Sequence, residues 1–469
     1  MPISPAFRPA TIHAGLGAEF FDPVHAACFP QLTLRRRNDR WAARVGLDGL
    51  TDAEWKRHFG AFESLPGSLP QPLALRYHGH QFRTYNPDLG DGRGFLFAQM
   101  HDLKDGRLLD LGTKGSGQTP WSRAGDGRLT LKGGVREVMA TEMLEALGVY
   151  TSKTFSLIET GEDLVRSDEP SPTRAAVLVR LNHSHIRIGS FQRLATRQQH
   201  GDVQRLLDHS IRHYLPEALR DDPAERAAAF LVDVVGRTAR LGAQWMAAGF
   251  VHGVLNTDNI NITGESFDYG PWRFLPHYDP DFTAAYFDHN RLYAYGRQPD
   301  TLLWNLLRLA ECLLPLCPKP PLEAALMTFA PAFATALDGA VIRRLGLVSR
   351  PEDAALAQAW WAFLASSKIP FEQAFFDWHG NQPARAARSP GAAHYASPAF
   401  TPVRDALSGY APAPTARLDH PYFAKSAPCT MLIGEVEAIW APIAAADDWS
   451  MLDGKLLAID AMREAYGVT

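Results

Sequence analysis

Cysteine is scarce in this sequence, with four residues in a chain of 469. Cys28, Cys312, Cys317 and Cys429 form no CxxC pair and have no histidines at a zinc-ligand spacing, so no zinc site is predicted. Cys312 and Cys317 lie in the apolar run LLRLAECLLPLCP, which indicates buried, unreactive thiols. Because sparse use of cysteine is typical of a reducing compartment, we expect a cytoplasmic protein.

A strong charge bias and long hydrophobic runs are also missing. The net charge is −4, and no basic segment could neutralise a phosphate backbone, which argues against nucleic acid as the main partner. A basic cluster, LRRRNDR at 34–40, is interpreted as a solvated surface. The apolar stretch 227–235 contains Asp233 and is too short to cross a bilayer, and the N-terminal residues lack the pattern of a targeting signal. We therefore expect no membrane partner.

The distribution of apolar residues predicts two parts of different structure. Short apolar runs between residues 76 and 190 are flanked by turn residues, as in strands, and one helical stretch, 133–148, interrupts them. Helical periodicity prevails at 202–250, 300–347 and 352–378, and the Pro- and Ala-rich segment 389–421 is predicted to be irregular. The expected fold class is α+β, compatible with a protein-kinase-like fold that has a strand-rich N-lobe and a helical C-lobe. The predicted boundaries are 1–75 for an N-terminal extension, 76–200 for the nucleotide-binding lobe, 201–385 for the helical lobe with the catalytic and metal loops, and 386–469 for a C-terminal extension.

The segment HGVLNTDNINI, residues 252–262, is similar to the catalytic loop of protein kinases with one residue displaced. In that loop a His-x-Asp sequence is followed, five residues after the Asp, by an Asn that holds a metal ion, while the Asp takes the proton of the acceptor hydroxyl. His252 and Asn259 stand at the expected positions, but Val254 occupies the position of the Asp. A valine can neither accept a proton nor bind magnesium. An Asp occurs four residues later, as Asp258.

The triplet DYG follows nine residues after Asn259 and places Asp268 where protein kinases have Asp-Phe-Gly. Metal ions that bridge a triphosphate need oxygen ligands from two converging segments. Alone, such a triplet usually marks a turn. Together with His252 and Asn259 at these spacings, it predicts a metal site made by Asn259 and Asp268.

A glycine-rich turn and a lysine precede this region. The turn LGDGRG at 89–94 leads into the strand-like FLFAQM, and its backbone N–H groups could approach phosphate oxygens. Lys114 ends the apolar run LLDLGTK and is expected to contact phosphate and to pair with a carboxylate of the next helix. That helix offers Glu137 and Glu142, and helical periodicity leaves the choice between them open.

Two further features do not belong to an ordinary kinase. GDGR at 125–128 is a second Gly-Asp-Gly turn. Arg180 and Arg187 lie seven residues apart, roughly two turns of a helix, and arginines suit bidentate contact with phosphate. His183 and His185 lie between them without a third ligand nearby, so a structural or hydrogen-bonding role is predicted for both.

Taken together, these segments resemble the selenoprotein O family of protein adenylyltransferases, kinase-like proteins once classed as pseudokinases. The most specific match is HGVLNTDN followed by DYGP. The matching segments occur in the family's order, cover roughly residues 75–310, and are YHGHQF (77–82), LGDGR (89–93), LGTKGSGQTPWSRAGDGR (111–128), REVMATEMLEALGV (136–149), SHIRIGSF (184–191), GFVHGVLNTDNINITGESFDYGP (249–271) and YDPDF…YAYGRQP…WNL (278–306).

The resemblance implies that ATP binds in the reverse of the kinase orientation, with the γ-phosphate buried and the α-phosphate presented to the acceptor. AMP is then transferred to Ser, Thr or Tyr of proteins, and pyrophosphate is released. Asp258 is implied as the catalytic proton acceptor, with a third metal ligand as its alternative role, and Asn259 and Asp268 as ligands of Mg²⁺, or of Mn²⁺ in its place. The residues implied to contact ATP are Gly90, Gly92, Arg93, Lys114, Asp126, Gly127, Arg180, Arg187 and Asp268, with Glu137 as the partner of Lys114.

Two other functions use the same residues. A kinase-like phosphotransferase is disfavoured by Val254 and by the arginine pair. A nucleotide-binding scaffold without activity would be favoured by loss of Lys114, Asn259 or Asp268, and all three are present. The predicted partners are therefore ATP and proteins with hydroxyl-bearing side chains. Family members commonly carry a selenocysteine or cysteine near the C-terminus, whereas the last cysteine here is Cys429, so no control through a terminal cysteine is expected.

Overall fold

The structure is a computed structural model that describes residues 4–167 and 169–468. Within these residues the fold is mixed α/β, and most strands precede most helices. The strands are β1 (Pro9–Ala10), β2 (Phe21–Pro23), β3 (Thr33–Arg37), β4 (Leu73–Leu75), β5 (Gly79–Gln81), β6 (Thr84–Asn86), β7 (Leu96–His101), β8 (Leu108–Lys114), β9 (Leu129–Thr130), β10 (Lys153–Leu164), β11 (Thr173–Asn182), β12 (Phe250–Val251) and β13 (Arg273–Phe274). The helices are α1 (Asp39–Val45), α2 (Asp52–Phe59), α3 (Leu131–Ala146), α4 (Ile188–Thr196), α5 (His200–Tyr214), α6 (Pro223–Ala247), α7 (Gln298–Leu313), α8 (Lys319–Met327), α9 (Phe329–Arg344), α10 (Asp353–Ser367), α11 (Phe371–Trp378), α12 (Pro383–Ala386), α13 (Ala392–Tyr395), α14 (Thr401–Leu407), α15 (Ile433–Ala446) and α16 (Ser450–Ala465).

One antiparallel sheet organises the first part of the chain. Its strand order is β2-β4-β7-β8-β11-β10-β3, with β1 paired to β7 and β9 paired to β11. The strands and the helix expected between residues 94 and 181 are confirmed as β7, β8, α3, β10 and β11. Strands β1 to β4 come from residues before 76, so the sheet continues across the predicted boundary at residue 75.

The sheet register places the basic side chains of the site on one face. In the pairing of β8 with β11, Lys114 is opposite Leu178 and Arg180 is opposite Gly112. Leu178 packs in the same hydrophobic cluster as α3, whereas Val177 and Val179 pack in the cluster that contains α1 and α2. Since side chains alternate between the faces of a strand, Lys114 and Arg180 lie on the α3 face.

Helix α3 is held between this sheet and the C-terminal helices. Thr130 caps its N-terminus, where the side-chain oxygen accepts a hydrogen bond from the Gly133 amide at 3.1 Å. Val135 and Val138 are fully buried in the core below it. On the other side, Arg463 of α16 lies 2.6 Å from Glu142. Helix α3 is therefore packed on both of these sides.

Helix α6 is the longest helix of the second part of the chain, the mainly helical part that follows β11. Asp222 caps it by accepting hydrogen bonds from the amides of Ala224 and Glu225, both at 2.9 Å. Helices α7, α8 and α9 pack along it. The segment Lys319–Arg344 is long and apolar enough to cross a membrane by length and composition, but it comprises two helices, α8 and α9, separated at Thr328.

The structure corrects three expectations from the sequence. The segment 389–421 is not entirely irregular, because it contains α13 and α14, and the apolar residues Phe400, Val403 and Leu407 are buried there. Arg180 lies in strand β11 and Arg187 immediately before α4, so the two are not on one helix.

The basic cluster at 34–40 is the third correction, because it is paired with carboxylates rather than solvated. Arg35 lies 2.6 Å from Glu159, and Arg36 lies 3.1 Å from Glu142. Strand β3 at the sheet edge brings these arginines beside the acidic side chains of β10 and α3. The expected burial of Cys312 is confirmed, and burial raises the pKa of its thiol to about 12.

Candidate active site

The displaced catalytic-loop motif forms a tight turn that starts just after β12. The backbone N–H of His252 donates to Gln298 at 3.0 Å, and the His252 ring contacts the carbonyl oxygen of Phe267 at 3.1 Å. This contact ties the turn to the residue just before Asp268. The Asn259 side-chain amide donates to the carbonyl oxygen of Val254 at 3.0 Å. Val254, which occupies the position of the kinase Asp, therefore contributes its backbone carbonyl to this turn.

Asp258 lies in the 3-10 turn Thr257–Asn259 and is buried. Its Oδ1 atom has no hydrogen-bond partner among the described residues. Burial raises the pKa of its carboxyl group to about 7, and the nearby charge of Arg187 opposes the rise. A Cβ atom at Gly79 would lie 2.9 Å from this oxygen, which explains why a glycine of strand β5 stands beside it. Asp258 is thus a buried carboxylate with one free acceptor atom.

A network of four charged side chains connects the sheet, α3 and the DYG segment. The Lys114 amine lies 2.6 Å from Glu137 and 2.9 Å from Asp268. Arg180 donates from Nη1 to Asp268 at 3.2 Å and to Glu137 at 3.4 Å. Burial would raise the pKa of Asp268, but Lys114, Arg180 and Arg93 together hold it well below its ordinary value. Glu142, the alternative on the same helix, has other partners.

Arg187 is the second buried arginine of the site. Its Nη1 atom donates to the backbone carbonyl oxygen of Asp258 at 3.2 Å. The guanidinium group lies between two aromatic rings, 4.1 Å from the centroid of Tyr77 and 5.1 Å from that of Phe267. Neither aromatic residue was a predicted site residue. Tyr77 begins the matching segment YHGHQF, but no motif spacing links it to an arginine 110 positions later.

The glycine-rich turn at 89–94 packs closely against the loop 119–127. A Cβ atom at Gly90 would collide with the Trp121 ring, and one at Gly92 would lie 2.8 Å from the Trp121 carbonyl oxygen. Thr119 also donates to the carbonyl oxygen of Asp91 at 2.6 Å. The two glycines are therefore required for close contact with the loop 119–127, in addition to any contact with phosphate.

The second Gly-Asp-Gly turn lies at the rim of the site. Asp126 is exposed and accepts hydrogen bonds from Arg166 at 2.8 and 3.0 Å. Gly127 has a φ of +71°, which favours glycine, and a Cβ atom there would collide with the backbone at Gly117. Arg166 was not predicted, since it lies outside the conspicuous motifs.

These residues surround a cavity of about 630 Å³, a size typical of small-molecule sites. Seven of the predicted site residues line it, namely Gly90, Gly92, Arg93, Asp126, Gly127, Asp258 and Asp268. Four others lie behind that wall or beside it. Lys114 and Arg180 contact Asp268, Glu137 contacts Lys114 and Arg180, and Arg187 contacts Asp258. Asn259 is buried next to Asp258 and does not line the cavity.

The donor set fits a nucleoside triphosphate and a divalent cation. The Arg180 Nε and Arg187 Nε atoms are buried without hydrogen-bond partners among the described residues, as is the Asp258 Oδ1 atom, whereas Arg187 Nη2 lies 3.5 Å from Asp91. Buried donors and acceptors need partners, and phosphate oxygens suit guanidinium groups. Among the described residues no three His, Cys, Asp or Glu side chains converge as metal ligands. One carboxylate and one amide oxygen suit Mg²⁺, which usually takes further oxygens from phosphates and water.

Comparison with known proteins extends the similarity over almost the whole chain. The family described as "Protein adenylyltransferase SelO" matches residues 5–459. The protein nucleotidyltransferase YdiU of Trichormus variabilis is 50% identical over 366 residues, which cover 77% of this chain and 74% of the relative. The protein of the same name from Gloeobacter violaceus is 46% identical over 454 residues, covering 93% of this chain and 91% of the relative. A more distant YdiU, from Vibrio cholerae, is 38% identical over 375 residues, covering 79% and 75%.

Proposed function

The chain belongs to the SelO family of protein adenylyltransferases, and from this premise we propose that it transfers AMP from ATP to Ser, Thr or Tyr hydroxyls of proteins and releases pyrophosphate. We further propose that the sheet with α3 and the helical second part correspond to the two lobes of a kinase-like fold. The ATP cavity would then lie between them. Cytoplasmic proteins are the proposed acceptors.

The observation that carries this proposal is the pair of buried arginines with unpartnered donors. Arg180 and Arg187 stand behind Asp268 and Asp258, on the protein side of the cavity wall. Positive groups placed this deep favour the terminal phosphates of ATP at the buried end, with Lys114 as a third cation. Phosphate would replace Asp268 as the partner of Lys114 and Arg180. The α-phosphate would then be the phosphate nearest Asp258.

The transfer step follows from that orientation. The acceptor hydroxyl oxygen attacks the α-phosphorus, and the bond from this phosphorus to the bridging oxygen of pyrophosphate breaks. Pyrophosphate leaves with the electron pair, and the hydroxyl proton passes to the carboxylate of Asp258, which lines the cavity. The chain contributes mainly by holding the phosphates in line with the acceptor, because positioning can supply a large part of the rate enhancement.

Asn259 and Asp268 are the proposed ligands of Mg²⁺. The Asn259 amide nitrogen is engaged by the Val254 carbonyl, which leaves its oxygen for a cation. When bound, the ion would neutralise charge on the reacting phosphate and on the leaving pyrophosphate. Asp268 has a φ of +62°, an uncommon backbone conformation for an Asp, of the kind that often occurs at functional sites.

The test uses the purified chain, MgCl₂, a mixture of acceptor proteins and ATP labelled at either the α or the γ position. We expect protein labelling from the α position alone, with loss of the label in Asp268→Ala and in Asp258→Asn. Label from the γ position would make the protein a kinase. Nucleotide binding without label from either position would favour the scaffold instead.

A further inference from the structure

A second concave region adjoins the ATP cavity and shares Arg93, Arg128 and Arg166 with it. Its volume is about 460 Å³, and it lies between the N-terminus of α3 and the residues that follow the DYG triplet. Seven cationic side chains line it, against two described carboxylates, Glu169 and Glu437. We call this region the basic cleft. Such an excess of one sign is unusual in a chain whose net charge is −4.

Arg93, Arg136 and Arg273 are the cations of the basic cleft without an ion pair among the described residues, and Arg136 and Arg273 lie outside the ATP cavity. Among the described residues, no carboxylate lies within ion-pair distance of Arg136 or Arg273. Their guanidinium groups are held instead by backbone carbonyls: Arg136 donates to Gly270 at 3.4 Å, and Arg273 donates to Trp272 at 2.9 Å. Burial, and to a lesser extent the charge of Arg273, lower the pKa of Arg136 to about 10, while the charge of Glu437 opposes the shift. An anionic partner would stabilise the charged form of Arg136.

An exposed row of aromatic rings connects the basic cleft with the turn that carries Asp258. Tyr286 and Phe287 line the cleft and are 82% and 42% exposed, and Phe82 is 39% exposed. The ring centroids of Phe82 and Phe287 are 5.9 Å apart, and those of Phe287 and Tyr286 are 5.1 Å apart. We call these three residues the aromatic row. Exposed aromatic side chains that cluster beside a reactive site are typical of protein-binding surfaces.

The hairpin that presents Phe82 is anchored to the catalytic turn. The Phe82 amide donates to the Asn256 side chain at 3.1 Å, and the His80 amide donates to the Thr257 hydroxyl at 2.7 Å. Phe82 and Arg83, at the tip between β5 and β6, have φ values of +49° and +64°. Two successive non-glycine residues in this region are strained, and such strain is often kept where it serves a function.

We propose that the basic cleft and the aromatic row bind an acidic, extended segment of the acceptor protein, with its hydroxyl at Asp258 and its Asp or Glu residues at Arg136 and Arg273. This inference rests on the proposed AMP transfer and specifies its substrate class. An extended chain advances about 3.3 Å per residue, so the two centroid separations of the aromatic row correspond to about three residues of such a segment. Apolar residues of that stretch would pack on Phe82 and Phe287.

The test measures AMP transfer from α-labelled ATP to two synthetic peptides of equal length. Each has a central Ser-Tyr-Thr acceptor stretch and Leu spacers, flanked by four Glu in one peptide and four Lys in the other. We expect the KM of the Glu peptide to be at least about tenfold lower, with the difference shrinking as salt is raised. Arg273→Glu should raise that KM by about fivefold, the order of one exposed ion pair, and should lower the KM of the Lys peptide. Tyr286→Ala should raise the KM of both peptides.

The KM for ATP should not change in these variants, and Arg240→Glu, at an exposed position on another cavity, serves as the matched control. Equal KM values for the two peptides, or labelling of whole proteins but of neither peptide, would overturn the docking inference and leave AMP transfer intact. Stronger inhibition of the Glu peptide's labelling by poly(U) RNA than by an unlabelled Glu peptide would also overturn it, since the cleft would then be a nucleic-acid site. Absence of α-label from every acceptor would refute the proposed function itself.

Discussion

Two glutamates five residues apart on α3 serve different neighbours. Glu137 lies 2.6 Å from Lys114 in the site, whereas Glu142 lies 2.6 Å from Arg463 on the other side of the helix. Both are buried, and their positions differ by well over one turn of helix. Substituting each glutamate in turn therefore distinguishes a contribution to the site, from Glu137, from a contribution to stability, from Glu142.

We expect Glu137→Gln to reduce kcat/KM for ATP by roughly tenfold to a hundredfold, since a charged hydrogen bond contributes about 1.5–3 kcal/mol. Glu142→Gln should leave kcat/KM within about threefold but lower the free energy of unfolding by up to about 3 kcal/mol, because Arg463 loses a buried partner and keeps only Asp460 and Glu145. Steady-state kinetics and urea unfolding of both variants provide the measurement. Equal kinetic effects of the two substitutions would contradict the assignment.

Spacing in the sequence identifies the site residues that belong to motifs, but not their partners from other segments. Lys114 and Asp268 were predicted from residue type and spacing within kinase-like motifs, whereas Asp258 stands outside the kinase spacing and its role was implied by the family resemblance. Tyr77 and Arg166 could not be predicted, because the contacts that place them at the cavity join segments far apart in the chain. Helical periodicity left the choice between Glu137 and Glu142 open and the family resemblance implied Glu137, which the structure pairs with Lys114.

At the level of elements, α16 and β3 hold the side of α3 that faces away from the Lys114 pair. Arg463 of α16 and Arg36 of β3 both contact Glu142, at 2.6 and 3.1 Å. In the sequence Arg36 belongs to a cluster of like charges, which usually indicates a solvated surface. It is half-buried against Glu142 here because β3 pairs with β10 at the edge of the sheet.

We expect Arg463→Met to loosen α16 while the sheet keeps its structure. Removing one partner of a buried ion pair is expected to lower the free energy of unfolding by about 3 kcal/mol, reduced here because Glu142 keeps Arg36. Hydrogen exchange should speed up in residues 450–465 and in the second half of α3, and remain unchanged in β8 and β11. Asp460→Asn, which alters a more exposed partner of the same arginine, is the control. Uniform exchange changes across the whole chain would count against a local role.

On the scale of the whole molecule, buried neutral histidines link stability to pH. His379 is buried and stacks on Phe423 and Tyr466, with ring centroids 5.2 and 4.6 Å away. Burial lowers its pKa to about 4, and the charges of Arg385 and Arg344 add to that effect. Protonation of this ring would place a charge where α11 meets the end of the chain.

Stability should therefore decline as the pH falls from 6.5 to 4, because in that window the unfolded chain binds a proton at His379 that the folded chain does not. The loss amounts to about 3 kcal/mol for a shift of this size. In His379→Gln the decline should be smaller by that amount, as measured by urea unfolding between pH 7.5 and 4. His25→Gln, at an exposed position, should leave the dependence of the unfolding free energy on pH as in the parent chain. A slope unaltered by His379→Gln would refute the assignment.

The sequence by itself determined the chemistry that is available and its local geometry. Residue type and short-range spacing specify the 252–262 turn, the DYG triplet, the Lys at the end of β8 and the major helices, because these depend on neighbours along the chain. Only the tertiary structure decided which charges meet and which are buried. Lys114 with Glu137, the unpartnered donors of Arg180 and Arg187, and the basic cleft all depend on strand register and on the contact of α3 with distant segments. Such contacts leave no periodic pattern in the sequence. The low polarity that shifts the pKa values arises only when those segments pack together and exclude water.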